Sequence, residues 1–194
     1  TYVTLPESLQ LLEQLAFLNC SSLEKAVFQG DTPGTLGDGI FDGAAPAFAV
    51  YHFDGAAGFA SSTWQGHPTV NMGSPTPVKN WLVSNHQPHD ASLESDSNQD
   101  GVSLLMAYAL KLDPRQNLSG SLPKPVLSQN EMSLQYHAGT PGVTYEVLTS
   151  TDMVEWDNAG IVFGELDAQQ FRTATVSRDE PAKFMRLNVY LLLP

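Results

Sequence analysis

One stretch of the sequence carries oxygen-bearing side chains at the spacing of a calcium-binding loop. In "DSNQDGVSLLMA", Asp96, Asn98 and Asp100 occupy positions one, three and five, and Gly101 is sixth. An EF-hand loop takes calcium oxygens from these three positions, from the carbonyl of position seven, here Val102, and from a glutamate at position twelve. The sequence therefore predicts a metal site at these three side chains and the Val102 carbonyl, with calcium as the cofactor.

The loop departs from that pattern at its last ligand positions. Leu104 and Ala107 stand at positions nine and twelve, where an EF-hand has a water-bridging residue and a glutamate. Waters or nearby acids, such as Glu94 and Asp113, would have to complete a calcium shell of six to eight oxygens. The alternative is that the Asp and Asn side chains form Asx turns and cap a helix at Ser103. Calcium binding and helix capping both remain open.

No other pattern indicates catalysis. The chain has no G-x-S-x-G, H-E-x-x-H or glycine-rich phosphate loop. His86 and His89 form an H-x-x-H pair, but no cysteine accompanies it, and zinc needs three or four ligands. We therefore expect a protein that is not an enzyme. Trp64 belongs to the segment that closes the repeats of residues 1–72, described below, and Trp81 lies on the apolar stripe of a predicted helix. Trp156 is therefore the candidate for stacking on a sugar ring.

Composition restricts the classes of partner. The 194 residues include 9 basic and 21 acidic side chains, a net charge of −12. This balance argues against a nucleic-acid partner, because phosphate binding needs clustered Lys and Arg. No apolar run approaches the roughly 20 residues of a membrane span, so we expect a chain that does not span the membrane. Cys20 is the one cysteine, which excludes an internal disulfide, and we expect it to be buried as a small hydrophobe.

Residues 1–72 contain a weak internal repeat. Phe17 recurs as Phe41, and "FQG" at Phe28 recurs as "FDG" at Phe53, with a spacing that is one position longer. Both spacings fall within the period of roughly 20–29 residues that is typical of leucine-rich solenoids, in which each repeat contributes a short strand and a turn. The segment "SLQLLEQLAFLN" also has the apolar spacing of an amphipathic helix, so strand and helix are alternatives there.

Two further segments follow the repeats. In residues 73–121, Thr76 is a candidate N-cap with Pro77 at the first helical position, and "SLLMAYALKL" predicts a buried helix that Pro114 stops. Residues 122–194 contain "MSLQYH", "VTYEVLTS", "FRTATV" and "FMRLNVYL", each with the alternation of a half-buried strand. We predict a helix–loop–helix segment and then a small antiparallel β-sandwich.

Longer motifs resemble two families of bacterial extracellular architecture. Residues 5–44 resemble the BspA-like leucine-rich repeats of bacterial surface proteins, and residues 50–70 resemble the segment that closes the last repeat. "DSNQDGVSLLMAYALKLDP", "VTYEVLTSTDMVEW" and "FMRLNV" resemble a tail at the C-terminus of many large secreted bacterial proteins. The resemblances imply a mainly β fold with a small α part: a leucine-rich solenoid end, a calcium-type helical hairpin and a C-terminal antiparallel β-sandwich.

The same resemblances imply a function without catalysis. We expect a structural or adhesive module, outside the cell or on the bacterial cell surface, that serves display, attachment or self-assembly. Its expected partners are copies of itself or other surface proteins, with a glycan as a further candidate. One alternative is a carbohydrate-binding module formed by the β-sandwich, which an exposed aromatic row over one sheet face would favour. Another is a fragment of a hydrolase whose catalytic domain lies upstream.

Overall fold

Strands make up most of the regular structure. The computed structural model describes residues 1–59, 61–180 and 182–192. The chain divides into two units, Thr1–Ala91 and Ser92–Pro194, and the division falls inside the segment 73–121, so the three-domain boundaries stay a prediction. The first unit is a solenoid-like arrangement of parallel strands, and the second is built from antiparallel sheets. Neither of the two short helices in the part of the chain that the structure describes has the length and apolar character of a membrane span.

A ladder of parallel strands forms the frame of the first unit. Its strands are β1 (Tyr2–Leu5), β2 (Leu11–Leu12), β3 (Lys25–Phe28), β4 (Thr35–Leu36), β5 (Ala49–His52), β6 (Thr63–Trp64) and β7 (His67–Asn71). One sheet has the order β1-β3-β5-β7-β6 and is parallel except for β6, which pairs antiparallel with β7. The strands β2 and β4 form a separate parallel pair. Tyr2 pairs with Lys25, and Lys25 pairs with Ala49, so the first two turns of the chain are nearly equal in length. The turn from β5 to β7 is shorter, since Val50 pairs with Thr69.

The repeat period read from the sequence is correct for one aromatic pair and off by one for the other. The Phe17 N–H donates to the Ile40 carbonyl at 2.8 Å, and the rings of Phe17 and Phe41 stack with centroids 5.3 Å apart. In the β3–β5 register Val27 pairs with Tyr51, so Phe53 falls one position beyond the equivalent of Phe28. Because neighbouring residues of a strand face opposite sides, Phe28 enters the solenoid core and Phe53 joins a cluster on the other side of the sheet.

The helical alternative for "SLQLLEQLAFLN" is wrong. The segment forms β2 followed by turns, and Leu15 and Asn19 adopt positive φ angles of 59° and 57°. Leu12 is buried in the core, whereas Leu11 is exposed. Cys20 is also exposed, contrary to expectation, because it follows the turn at Asn19 and does not lie on a ladder strand.

A helix covers the other side of the parallel sheet. In α1 (Pro77–Ser84), the Thr76 hydroxyl accepts a hydrogen bond from the Lys79 N–H at 3.2 Å, which confirms the predicted N-cap. The Val83 carbonyl accepts hydrogen bonds from the hydroxyls of Tyr2 and Thr4 in β1, at 3.4 and 3.2 Å. The cluster between helix and sheet consists of Val27, Phe53, Met72 and Val83.

The second unit begins with a helix and continues in strands. Its elements are α2 (Leu104–Ala109), β8 (Val126–Leu127), β9 (Glu131–His137), β10 (Val143–Ser150), β11 (Val162–Phe163), β12 (Phe171–Ser177) and β13 (Phe184–Leu191). The four strands predicted from alternation form β9, β10, β12 and β13. One antiparallel sheet has the order β11-β12-β9-β8, and β10 pairs with β13 in the other.

One apolar cluster joins α2 to both antiparallel sheets. Leu134 and Tyr136 of β9, Val147 of β10 and Ala174 of β12 are buried together with Leu110, which follows α2. The alternation of β9 and β12 places these side chains on one face of their strands. The side chains that fill the space around them are Met106, Leu112, Leu122, Ala138, Tyr145, Ile161, Met185 and Leu187.

Helix α2 ends at Ala109, before Pro114, because the backbone adopts a left-handed conformation at Lys111. Lys111 adopts a φ of 55°, and the N–H groups of Lys111 and Leu112 donate to the carbonyls of Tyr108 and Ala107 at 3.2 and 2.9 Å. This is the hydrogen-bond pattern of a Schellman motif. The Ala109 carbonyl, left over at the helix end, accepts from the hydroxyls of Tyr145 and Thr140 at 2.7 and 2.8 Å.

Gly37 should tolerate no side chain, whereas Gly34 should. A Cβ at Gly37 would lie 2.1 Å from the backbone nitrogen of Gln14 on the neighbouring turn, and nothing lies within 4 Å of one at Gly34. We expect Gly37→Ala to lower the free energy of unfolding by about 1–3 kcal/mol. Gly34→Ala should change it by no more than about 0.5–1 kcal/mol. Urea unfolding followed by circular dichroism measures both, and equal midpoints would contradict the close packing of the turns.

Candidate functional site

The predicted metal loop is closed by hydrogen bonds from its own backbone. The Asp96 carboxylate accepts the N–H of Asp100 at 3.2 Å on Oδ1 and the N–H of Gly101 at 2.8 Å on Oδ2. Gly101 adopts a φ of 85°, the sharp turn expected before the helix. The Ser103 hydroxyl then accepts from the Met106 N–H at 3.3 Å, which confirms Ser103 as the N-cap of α2.

Asp100 connects the loop before α2 with the segment after it. Its Oδ1 accepts the Val102 N–H at 2.9 Å, and its Oδ2 accepts the Leu118 N–H at 2.6 Å. The hydrogen bond from Leu118 is the main reason why the pKa of Asp100 lies below its ordinary value, and the one from Val102 lowers it further. Since both donors favour the charged form, the ionised carboxylate holds the two ends of this segment together.

The Asn98 amide lies among three oxygen atoms. Its Nδ2 is 3.0 Å from Oδ2 of Asp100, 3.3 Å from the Pro114 carbonyl oxygen and 2.7 Å from the Gln116 carbonyl oxygen. The two carbonyls come from the return after α2, far from Asn98 along the chain, so the loop pattern did not reveal them. Carbonyl and carboxylate oxygens are the ligands that calcium prefers. If the Asn98 amide were flipped, its Oδ1 and these three oxygens would point toward one another, and a cation between them could take all four as ligands.

The groups around Asn98 are oxygen atoms, the kind of ligand that calcium takes, and zinc sites are usually built with His or Cys. A carboxylate has about four acceptor positions, and hydrogen bonds occupy two on Asp96 and three on Asp100. Both side chains therefore retain capacity for a metal. Over the described ranges, no group of three or more His, Cys, Asp or Glu side chains is placed to hold a metal ion. A calcium ion here would rest on two carboxylates, one amide and backbone carbonyls, and such low ligand charge implies weak affinity.

Asp113 and Glu94, the two acids expected to complete the calcium shell, lie in other environments. Both Asp113 oxygens accept from the Arg115 guanidinium, at 2.9 Å each, and the Arg115 N–H adds a third hydrogen bond. These contacts lower the pKa of Asp113 to about 2. Glu94 lines a groove beside β13. The oxygens that do reach Asn98 are instead the backbone carbonyls of the return after α2.

Every histidine lies against an aromatic ring. The buried His52 stacks on Phe59 at 4.8 Å, and Nδ1 of the buried His137 lies 3.3 Å from the Ala109 carbonyl oxygen. Burial is the main cause that lowers the pKa of His137. His86 and His89 of the H-x-x-H pair contact different tyrosines, Tyr2 and Tyr51. The remaining contacts are those of His67 with Phe41 and Phe48, and of His137 with Phe171.

The outward face of the β10–β13 sheet carries aromatic and polar side chains together. Glu146 of β10 pairs with Asn188 of β13, and its Oε2 accepts from the Asn188 amide at 3.1 Å and from the Tyr190 hydroxyl at 3.0 Å. Farther along β13, the Arg186 guanidinium lies 4.2 Å from the centre of the Trp156 ring. With about 3.3 Å per residue, Arg186 and Tyr190 are separated by about 13 Å along the strand.

Trp64 and Trp81 are less accessible to a sugar ring than Trp156. Trp64 is buried in the solenoid core, where its ring contacts Phe28 and Phe59. Trp81 is half-buried on α1. The outer face of the four-stranded sheet is different again, because Ser133, Thr173 and Thr175 lie there. Their strand neighbours on that face are the exposed Val126 and Val162.

A groove of about 570 Å³ runs along β13. Residues 186–191 form one wall, and Leu93, Glu94, Ser103 and Met106 contribute to the other. In the sheet, β13 pairs with β10 alone, so its second edge has no strand partner in the described part of the chain. The groove therefore lies where a backbone offers unpaired hydrogen-bonding groups.

Acid should weaken the second unit through Asp100 and Asp113. Both pKa values are lowered from 3.8 in the folded state, that of Asp113 to about 2. Their stabilisation is therefore complete above about pH 4 and is lost as the pH falls toward 2. Asp113→Asn should reduce the slope of unfolding free energy against pH in this window, and Glu165→Gln, an exposed acid between β11 and β12, serves as the control. Equal slopes in wild type and Asp113→Asn would contradict the assignment.

Comparison of this chain with protein families, with curated proteins and with solved structures gives no match. The resemblances noted in the sequence therefore rest on the quoted motifs. Function has to be inferred from the open edge of β13, from the loop around Asp100 and from the outward face of the β10–β13 sheet.

Proposed function

We propose that this chain is a non-enzymatic structural or adhesive module, located outside the cell or on the bacterial cell surface. The observation that carries the proposal is the unpartnered edge of β13, a strand of 8 residues, beside a groove. A long free strand edge pairs readily with an extended segment of another chain, and main-chain hydrogen bonds then supply the affinity. Attachment or self-assembly would proceed by addition of such a segment, from another surface protein or from a second copy.

Other edges of the second unit are less suited to this role. The strands β8 and β11 at the ends of the four-stranded sheet are two residues long. The outer edge of β10 is bridged at one end, where Thr149 and Asp157 exchange N–H···O hydrogen bonds of 2.7 and 3.1 Å. Short or bridged edges resist pairing with a further chain. Among the described strands of this unit, β13 is the long strand whose open edge borders a groove.

The finer architecture belongs to the same proposal. A leucine-rich solenoid end of the BspA-like kind is supported by the nearly equal first two turns of the parallel ladder and by the stacked Phe17 and Phe41. A calcium-type hairpin is supported by the loop that precedes α2 and by the return that meets it at Asn98. An antiparallel β-sandwich is supported by the cluster that side chains of both sheets share.

Calcium would act in this module as a structural ion. Asp96, Asn98, Asp100 and the Val102 carbonyl would hold it, with the carbonyls of the return after α2 as further ligands. The chain's own residues already join the loop to that return through Asp100 and Leu118. A bound cation would add a second connection between the same two segments, because its ligands would come from both.

Calcium should raise the melting temperature of the wild-type protein, and Asp100→Ala should abolish the increase. Binding to the folded state alone stabilises by about 2.7 kcal/mol at a ligand concentration 100 times Kd. Asp100→Ala should also melt earlier in chelator, because the N–H groups of Val102 and Leu118 lose their acceptor. Asp113→Ala, which breaks the contact to Arg115, is the matched control and should retain the calcium increment. Equal increments in wild type and Asp100→Ala would exclude calcium binding at this loop.

The strand-addition proposal predicts a position-specific loss of self-association. Leu93→Glu places a charge in the groove wall, and Val126→Glu places the same charge on β8, the edge of the other sheet. Sedimentation velocity over a range of concentrations should show wild type and Val126→Glu associating alike. Leu93→Glu should weaken association by about tenfold or more, because a charge must be desolvated there.

Hydrogen exchange gives an independent readout of the same edge. Association should slow exchange of β13 amides that do not pair with β10, and leave β8 unchanged. A wild-type protein that stays monomeric at high concentration, with and without calcium, would refute self-assembly. If only a partner protein then protected β13, attachment would be the remaining form of the proposal.

A carbohydrate-binding module is the second candidate, favoured by the outward face of the β10–β13 sheet. Trp156 and Tyr190 lie toward opposite ends of a polar row that contains Arg186, Glu146 and Asn188. Sugar rings stack on aromatic faces, and their hydroxyls bond to such polar groups. Arg186 covers one face of the Trp156 indole, so a sugar would use the other face or displace the guanidinium.

Polysaccharide retention distinguishes this candidate. Affinity electrophoresis in gels that contain bacterial or plant polysaccharides should show retardation of the wild-type protein. Trp156→Ala and Tyr190→Ala should each remove most of it, whereas Phe163→Ala, an exposed aromatic on the other sheet, should not. Retardation that survives both substitutions would place glycan binding elsewhere.

A further inference from the structure

A small cavity lies in the first unit, between the outer face of the parallel sheet and the residues that follow α1. Its volume is about 130 Å³. Its floor consists of Val27, Met72 and Val83, each no more than 4% exposed. A cavity of about 150 Å³ lined by apolar side chains holds one benzene molecule, so this one has room for a single six-membered ring.

Aromatic side chains form the walls at the rim. The Tyr2 ring lies 4.9 Å from the imidazole of His86, and the Tyr51 ring lies 6.1 Å from that of His89. His86 adopts a φ of 62°, a left-handed conformation uncommon outside glycine, Asn, Asp and His. The turn after α1 thus brings both imidazoles of the H-x-x-H pair to one opening, although the two do not contact the same tyrosine.

One charged group belongs to this cavity. The Lys25 ammonium lies 5.3 Å from the centre of the Tyr51 ring. Within residues 1–59, 61–180 and 182–192, no carboxylate forms an ion pair with it. The neighbouring acid, Glu24, interacts with Lys25 electrostatically, but its carboxylate is paired with the N-terminal ammonium at 2.9 Å. In a chain of net charge −12, the Lys25 ammonium therefore lies at the mouth of an apolar cavity with no described carboxylate at ion-pair distance. It gives the cavity a preference for anions, because a buried anion needs an opposite charge.

We propose that this cavity binds a small planar aromatic carboxylate. The ring would lie over the apolar floor between the tyrosine and histidine rings, where aromatic contacts favour it. The carboxylate would accept a charge-assisted hydrogen bond from Lys25 Nζ at the rim. A quaternary ammonium, the other common guest of aromatic walls, is disfavoured by the same lysine.

The test uses the full chain with benzoate as the probe and isothermal titration calorimetry as the readout. Benzoate should bind saturably, whereas acetate, which lacks the ring, and benzyltrimethylammonium, which reverses the charge, should not. Lys25→Met keeps the apolar stem and should weaken benzoate binding by about tenfold or more. Lys124→Met removes the same charge from an exposed position in the second unit and should have no effect.

Chemical shifts locate the ligand even if Lys25→Met does not fold. Benzoate should move the methyl resonances of Val27, Met72 and Val83 in the wild-type protein, and leave that of Val176 in the second unit unchanged. Absence of saturable benzoate binding, equal binding by Lys25→Met, acetate binding of similar strength, or shifts confined to other methyls would each overturn the proposal. The outcome does not depend on whether the β13 edge or the β10–β13 face has the functions proposed above.

Discussion

The regular pairing of parallel strands from one turn of the chain to the next is the constraint on which the first unit depends. The chain must bring β1, β3 and β5 into register with one another. The connecting turns therefore need a fixed number of residues and side chains small enough for neighbouring turns to touch. Gly37 lies so near Gln14 that a single methyl group would disturb the adjacent turns. The same register stacks Phe17 on Phe41 and fills the interior with aromatic side chains. The outer side of the ladder then carries a second cluster, against which α1 packs.

In the second unit, a comparable role falls to the two ends of α2. Asp100 holds the segment before the helix to the segment after it, through the N–H groups of Val102 and Leu118. At the other end, the Ala109 carbonyl accepts from Tyr145 and Thr140. The helix has only 6 residues and would be marginal alone. Its position is therefore set by side chains distant in sequence, and the oxygens around Asn98 are assembled by the same closure.

The proposed functions use the second edge and the outward face of β13. The two-stranded sheet leaves the second edge of β13 without a partner among the described strands, and the alternation of β13 places Arg186, Asn188 and Tyr190 on its outward face. Backbone groups at the edge suit an extended polypeptide, whereas the aromatic and polar row on the face suits a sugar. The two candidates therefore predict losses from different substitutions, at Leu93 for strand addition and at Trp156 for glycan binding.

Local sequence by itself determined the elements whose signals are local. Alternation predicted β9, β10, β12 and β13, the Thr76–Pro77 and Ser103 caps predicted both helix starts, and the Phe17–Phe41 repeat predicted the length of a solenoid turn. In "SLQLLEQLAFLN" the apolar spacing fitted both a helix and a strand. The segment forms the strand β2 because it pairs with β4 on the next turn of the solenoid. Cys20 was misplaced for the same reason, because its exposure depends on the turn at Asn19. Tertiary structure alone brought the carbonyls of Pro114 and Gln116 to Asn98, left β13 without a second neighbour in the described sheet and placed Lys25 beside Tyr51. These contacts join residues that are far apart along the chain, and the pairing of such residues follows from how the whole unit packs.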